Sequence, residues 1–347
     1  MSTNESDLFA HAARDVLADQ CTPAVVRAIE ACGREAPATT KLWEQLEATG
    51  LADALLSEDD GGSGLGLSQV FGVLEQCGAH ALPLPLGQTM VARALLAQSG
   101  VASPAGSVAL ARGMPTADGG LHCALVRDGR VAQSVLARSG AQWHLLAVGG
   151  AQVGPQALAL DAAFTWSAQA VQAAPVVKVD AALELRTLQA TVVAPQMAGA
   201  LEAVFDRTLQ YANERQQFGR PIGKFQAIQH QLAVMSEHVF AARMAAQLGC
   251  SGDTIVPDRL RVACAKARCS EAALAVSELA HGIHGAIGFT EEYDLQLFTR
   301  RLHAWRQTAG SESYWHDVAG QALLAHQGMT LDVVRRITDV ESVSVRE

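Results

Sequence analysis

The sequence predicts a mainly α fold with a small β domain in its middle: a helical N-terminal domain at 1–103, a short β barrel or sandwich at 104–182, and a C-terminal helical bundle at 183–347. Three observations carry this. The 347 residues are 49% hydrophobic but only 5% aromatic, and Ala, Leu and Val, which dominate, suit closely packed helices. Apolar residues recur at helical intervals in both flanks. Between them the pattern changes to short apolar runs separated by Gly, Asp and Ser, which is the mark of strands.

In the first flank, residues 5 to about 100 read as helical. Leu42, Trp43, Leu46 and Leu51 form one apolar face, and Val70, Val73, Leu74 and Cys77 another. Glu58 to Gly66 is a Gly-rich break between them. It is not a phosphate cradle, because no Lys-Ser/Thr follows, no clear strand precedes it, and Glu58, Asp59 and Asp60 repel phosphate. Pro83 and Pro85 punctuate the next turn before helix resumes over 90–96. In the middle, Ser107–Ala111, Leu121–Val126, Trp143–Val148 and Val176–Val179 read as strands. In the second flank, Val193, Met197, Leu201, Val204 and Phe205 share a helix face, as do Ile228, Leu232, Met235 and Val239. Residues 258–281 and 313–326 supply two more helices. Pro195 is expected to kink or interrupt the first helix, since it lacks an N–H and clashes with the preceding turn. Residues 340–347 read as a short polar tail. No internal repeat or low-complexity tract is visible.

Several function classes are set aside. A net charge of −9 gives no basic footprint for nucleic acid. No run of about eighteen or more apolar residues offers a membrane span. The first ten residues carry Glu5 and Asp7 without a basic start, so no secretory leader is expected. The seven cysteines form no C-x-x-C pair, which suits reduced thiols in a cytoplasmic protein and no metal site. His281 and His284 lie three apart at a helix end without a carboxylate set, and read as packing or loop histidines.

The most informative stretch runs from Asn213 to Gln226. Arg215, Gln217 and Gly219 fall on a loop between two helical segments, and the second helix begins near Gln226. Such a junction favours an anionic group, because N-terminal N–H groups and the helix dipole both point at it. On charge alone, Arg215 has a second reading as a surface ion-pair partner of Glu214 or Glu237. The order Arg-x-x-Phe-Gly-x-Pro-Ile, then Phe-Gln-Ala-Ile-Gln, resembles the flavin-contacting segment of acyl-CoA dehydrogenases. Two further places resemble the same family: Leu42–Leu51 with Glu58–Gly66 and Leu74–Gly78, and His281–Tyr293 continuing through Arg300-Arg301. Together the three span most of the chain, in the family's order.

The resemblance implies FAD held at a subunit interface by a helical domain, a β domain and a four-helix bundle. It implies α,β-desaturation of an acyl-CoA thioester, with a glutamate base and an electron-transfer flavoprotein as acceptor. Arg215, Gln217, Phe218 and Gly219 match positions at the diphosphate and adenosine side of a flavin across the interface, and Gln226 matches a polar contact to it. Residues 282–286 match a Gln-x-x-Gly-Gly segment near the ADP part, with Gly282 in place of Gln, Gly285 retained and Ala286 in place of the second Gly.

The sequence departs from the family at its chemical centre. Counting without gaps from Gly288-Phe289, Ala309-Gly310-Ser311 falls on the family's Glu-Gly-Thr, so Ala309 stands where the base belongs. A second branch carries its base on the first bundle helix, and that column falls at about Gln189, between Leu188 and Ala190. Glu312 and Glu184 are the remaining candidates. The middle domain lacks the Thr-Glu-Pro, Gly-Ser-Asp and Trp-x-Thr/Ser-Asn segments, although Trp143 and Trp166 are present. A chain that keeps the ADP-side loop and loses the base resembles the shorter subunit of heteromeric α2β2 acyl-CoA dehydrogenases, known among enzymes that degrade steroid side chains. The open alternatives are a self-sufficient homo-oligomer with a displaced base, a flavin monooxygenase on the same fold, and a non-catalytic structural subunit.

Overall fold

The computed structural model describes residues 3–154 and 159–339; the polar tail expected at 340–347 lies outside them. By internal contacts the chain divides into two compact units. The first holds residues up to Val73, then Leu82–Gln189, with Asp253–Val256. The second holds Leu74–Ala81, Ala190–Gly252 and the residues from Pro257 onward.

The chain begins with α1 (Thr3–Gln20), α2 (Pro23–Cys32), α3 (Pro37–Ala48), α4 (Leu67–Ala79) and α5 (Leu86–Gln98). Local chemistry sets their ends. Thr22 caps α2 by accepting the Val25 N–H, with proline at the first position. The Gly-rich break is a turn between α3 and α4: Ser57 accepts the Asp60 N–H, and Gly61 turns the chain at φ 84°. Every residue of α5 from Leu86 to Leu96 is buried, and its polar members are satisfied: Gln88 by Asp128, Thr89 by the Pro85 carbonyl, and Arg93 by Asp53 and Glu47.

The β region holds twice the strands the sequence reading finds. β1 (Val108–Arg112), β2 (Met114–Pro115), β3 (Leu121–Val126), β4 (Ser134–Ser139), β5 (Gln142–Ala147), β6 (Gln152–Val153) and β7 (Ala162–Trp166) are followed by α6 (Ala168–Ala173) and β8 (Val176–Val177). One sheet has the order β1-β4-β5-β8 and the other β2-β3-β7-β6. Among the described residues of these sheets only β1 and β4 pair in parallel. Ala109, Val135, Ala137 and Leu146 of one sheet share a core with Leu121, Cys123, Phe164 and Trp166 of the other, which makes a sandwich. The Trp166 Nε1–H donates to the Ala147 carbonyl at 2.8 Å, so this tryptophan is spent on the core.

The rest of the chain supplies α7 (Leu185–Glu214), β9 (Gln216–Gln217), β10 (Arg220–Pro221), α8 (Gln226–Gly249), α9 (Arg259–His284), α10 (Leu295–Gln307), α11 (Glu312–Ala325) and α12 (Thr330–Thr338). Helices α8, α10 and α11 pack on α9. Helix α7 is not interrupted at Pro195, although interruption is one of the two outcomes expected there. Proline denies the Thr191 carbonyl its usual N–H, and the Cys250 thiol approaches that carbonyl at 3.5 Å as a donor. Helix α10 occupies a stretch that the sequence reading leaves unassigned.

Within the second unit the backbone of residues 74–81 meets α7 directly. A Cβ on Gly78 would stand 1.8 Å from the Gln196 carbonyl, and one on Gly199 1.9 Å from that of Glu75. The buried Glu75 carboxylate accepts twice from Arg243, at 2.7 and 3.3 Å, which locks the crossing. A Gly199→Ala substitution is expected to cost about 1–3 kcal/mol by overpacking. Urea denaturation reads this directly; an unchanged midpoint would show that the two backbones do not touch.

Candidate flavin-contacting site

Helix α7 ends at Glu214, and the Arg215 N–H closes its last turn on the Tyr211 carbonyl at 2.8 Å. The chain then folds into a hairpin, Gln217 opposite Arg220 and Gln216 opposite Pro221. Phe218 and Gly219 form its two-residue turn, with φ of 52° and 79°. Two positive φ values define a type I′ turn, which matches the twist of paired strands. Glycine accepts this without strain, whereas an L-residue such as Phe218 gives up about 1–2 kcal/mol. Nothing inside the chain buries that phenylalanine: it is 92% exposed, with one edge-to-face contact to Phe225 at 6.2 Å. Strain held by an exposed aromatic points to a partner outside the chain. The Arg220 guanidinium lies 4.2 Å from the centre of the Phe225 ring and stiffens the base of the loop.

Arg215, Gln217 and Gln226 are all exposed. Among the described residues the Arg215 guanidinium has no ion-pair or hydrogen-bond partner. The alternative reading as a partner of Glu214 does not hold, since that carboxylate accepts from the Gln210 amide at 2.8 Å. Gln226 opens α8, and no side chain caps that helix.

The second segment is the end of α9. Gly285 turns the chain at φ 67° into a short helical turn over Gly285–Phe289. Gly282 is exposed, inside the last turn of α9, and a Cβ there would meet nothing within 4 Å. Glycine at such a position costs about 1 kcal/mol relative to alanine, and packing within the chain gives no reason for it. Ala286, Ile287 and Phe289 beside it are exposed as well.

Tyr211 ties the two segments together. Its ring stacks on His284 at 4.4 Å and 23°, and its hydroxyl donates to the His284 carbonyl at 3.3 Å. His284 Nδ1 is 2.7 Å from the Ala280 carbonyl, so it carries the proton. Nε2 is therefore bare and accepts from the Tyr293 hydroxyl at 3.2 Å. Burial holds His284 below the usual imidazole range, against the Ala280 hydrogen bond. Burial, with His284 and His303, lowers His281 too. Sequence reasoning gave Tyr211 no role. The available signal was its place one turn before Arg215, with a histidine and a tyrosine in the other matching segment.

Ala309, where the sequence count places the base of most of the family, lies elsewhere. Ala309, at φ 58°, packs on an apolar cluster of Ala190, Val262, Ala263, Ala267 and Trp315. Ala190 adjoins Gln189, whose amide donates to the Leu110 carbonyl at 2.9 Å. Trp315 is fully buried, and its Nε1–H donates to the Ala309 carbonyl at 3.0 Å. Lys266, also fully buried, donates to Ser270 Oγ and to the Arg306 and Gly310 carbonyls at 2.8–2.9 Å, fixing the loop. Glu312 is engaged by Arg306 through both carboxylate oxygens. Burial pushes its carboxyl up, but Arg306 and Lys266 hold it below the ordinary range, which makes it a weak proton acceptor. Glu184 accepts from the Thr187 hydroxyl at 3.1 Å, one turn ahead at the start of α7.

Between Ala190 and Glu214 a helix rises about 36 Å, so the loop and the base positions sit at opposite ends of α7. The donor set at the loop end, a guanidinium without a partner, an amide and glycine-opened backbone, fits the diphosphate and adenosine end of FAD. The other end offers alanine and packed apolar atoms, and does not fit a flavin ring with its base.

A sequence model of the acyl-CoA dehydrogenase N-terminal domain matches residues 3–103, and one of the acyl-CoA dehydrogenase C-terminal domain matches residues 180–342. The chain is 30% identical over 313 residues to the acyl-CoA dehydrogenase IpdE2 of Mycolicibacterium smegmatis, an alignment that spans 89% of this chain and 95% of that protein. Its fold is similar to a chain of the ChsE4–ChsE5 complex of Mycobacterium tuberculosis, with a TM-score of 0.81 over 94% of this chain and 99% of that one; at 22% identity this is a likeness of fold alone. It is also similar to a variant of the Tcur3481–Tcur3483 steroid ACAD, with a TM-score of 0.77 and 25% identity over 92% and 98% of the two chains. The chain belongs to the acyl-CoA dehydrogenase family, whose members are FAD-dependent oxidoreductases acting on acyl-CoA. No helix among the described residues is long and apolar enough to cross a membrane.

The histidine environments give a prediction with a definite sign. Both His281 and His284 prefer the neutral form when folded. Between their lowered values and the ordinary imidazole value of about 6.5, the unfolded chain binds more protons. Their contribution to stability is therefore complete above pH 6.5 and is lost as the pH falls through the folded values. NMR titration of the two rings should place both midpoints below the ordinary imidazole value of about 6.5; midpoints above it would contradict the assignment.

Proposed function

We propose that this chain is the subunit of a heteromeric acyl-CoA dehydrogenase that completes the FAD site of a larger catalytic partner. Arg215 pairs with the diphosphate oxygens, since a guanidinium can address two at once. Gln217, Gly219 and Gln226 hold polar and backbone positions beside it, and the Phe218 ring covers that end. Gly282, Gly285 and Ala286 let a second stretch of backbone approach the adenosine side. When bound, FAD supplies the hydride acceptor. The partner supplies the base and the pocket at the flavin ring, and this chain holds and orients the other end.

The observation that carries this reading is the division along α7. An exposed, unpaired cofactor loop stands at one end. At the other, Ala309 and Ala190 are packed around Trp315 where a base would act. A displaced base at Glu312 gains no support, because Arg306 occupies its carboxylate, and Glu184 is engaged by Thr187. The paired names of two structural neighbours, one of them a steroid ACAD, support a two-subunit assembly and a steroid or fatty acyl-CoA substrate. An α2β2 tetramer with an electron-transfer flavoprotein as acceptor completes the proposal. All seven cysteines are free thiols, which supports a reducing, cytoplasmic setting. The three-part division at 1–103, 104–182 and 183–347 is proposed as the functional layout.

Expressed alone, the chain should purify without stoichiometric FAD and without dehydrogenase turnover, and should gain flavin when co-expressed with its larger subunit. In that complex, Arg215→Ala should weaken FAD retention about 10–100-fold, the range of one charged hydrogen bond, with Arg215→Lys between. Stoichiometric FAD with turnover from the isolated chain would defeat the proposal.

A further inference from the structure

Two segments that lie about seventy residues apart in sequence meet at one side chain, Tyr211. Its carbonyl accepts the Arg215 N–H at 2.8 Å, which fixes where the hairpin leaves α7. Its ring and hydroxyl are committed to His284, the last residue of α9, at 4.4 Å and 3.3 Å. His284 is in turn held at three points: Nδ1 by the Ala280 carbonyl, Nε2 by the Tyr293 hydroxyl, and one ring face by Tyr211. Tyr293 completes the enclosure, edge-on to Tyr211 at 6.1 Å. Beyond His284 the turn at Gly285–Phe289 is braced by the stack of His281 on Phe289 at 4.2 Å, with His281 Nε2 against the Thr299 hydroxyl at 3.0 Å. Among the described residues the buried His281 Nδ1 has no partner.

We propose that Tyr211 and His284 form a positioning clamp that makes the hairpin at 215–222 and the turn at 285–289 one rigid body. This rests on the reading that both segments meet the same flavin. The physical need is plain. Phe218 is held in a strained turn, and such strain persists only where the surroundings over-determine it. The hairpin itself is exposed and packs little, so the reference for its direction comes from the last turn of α7. Helix α9 also packs on α7 near Ala190 and Ala194, and the clamp carries that shared reference to the turn after α9. Two contacts on one cofactor reinforce each other when their separation is set in advance, because less ordering is then lost at binding. Tyr211 is thus a positioning residue, acting through Arg215 and Gly285.

The test combines amide hydrogen exchange on the full-length chain with FAD affinity of the co-expressed complex, for Tyr211→Leu, Tyr211→Phe and His284→Asn. Tyr211→Leu keeps apolar bulk but loses the stack. It should raise exchange at 285–290 as well as at 215–222, and weaken FAD about tenfold, the worth of one aromatic pair plus the lost order. Tyr211→Phe keeps the stack and should stay within about threefold of wild type. The reciprocal His284→Asn should loosen the hairpin at 215–222, and decides the matter if Tyr211→Leu does not fold. The clamp is overturned if each variant loosens only its own segment, or if both loosen while FAD affinity holds. A wild-type complex that carries no flavin would instead sink the functional reading, and the exchange data would then decide the clamp alone.

Discussion

Pro195 leaves the Thr191 carbonyl without its helical N–H, and the thiol of Cys250 takes that place from 3.5 Å away. Burial, with Cys269 adding to it, pushes the Cys250 thiol up, so it stays protonated and can donate. Cys269 is pushed up to about 12 by burial and reaches the Ala194 carbonyl in the next residues of α7. One weak sulfur donor thus meets the carbonyl that proline strands, and α7 continues from Leu185 to Glu214. The position of the Arg215 loop depends on that continuity. A broken α7 would free the loop at Arg215 to swing; an unbroken one holds it about 36 Å from Ala190.

That separation gives the missing glutamate a physical meaning. A loss of the base alone would describe a dead enzyme. Here the base end is built as a core: Ala309 is drawn in by Trp315, and Lys266 ties the loop by three hydrogen bonds. A buried ammonium is costly unless its donors are satisfied, and three oxygen acceptors take those of Lys266. The loop end is built in the opposite sense. Phe218, Arg215 and Gln217 stand in solvent, at a turn that a phenylalanine does not favour. One end is closed and satisfied, the other open and strained, as suits a chain whose contribution is made across an interface.

The helical flanks, the β region between them and the loop before Gln226 were legible in the sequence. The Arg215–Gln226 segment is local chemistry, and its hairpin, exposure and following helix fall where the motif places them. Ala309 was legible because Gly310 and Ser311 keep the register around it. The strands β4 and β7 were not. Ser134–Ser139 lies in the interior of its sheet with its first four residues buried on alternate sides alike, so no alternation marks it, and Ala162–Ala163 at the start of β7 has weak strand preference. The course of α7 through Pro195 depends on a thiol 55 residues later, and the role of Tyr211 on a histidine beyond α8 and most of α9. Such tertiary partners leave no periodic signal.

The central claim is that this chain serves a flavin whose ring is held by another subunit. The most direct measurement is the number of FAD molecules per chain in the purified complex, from flavin absorbance against quantified subunits. The account predicts one FAD for each pair of this chain with its larger partner. Two per pair, with a flavin seated at the Ala309 end of this chain, would contradict it.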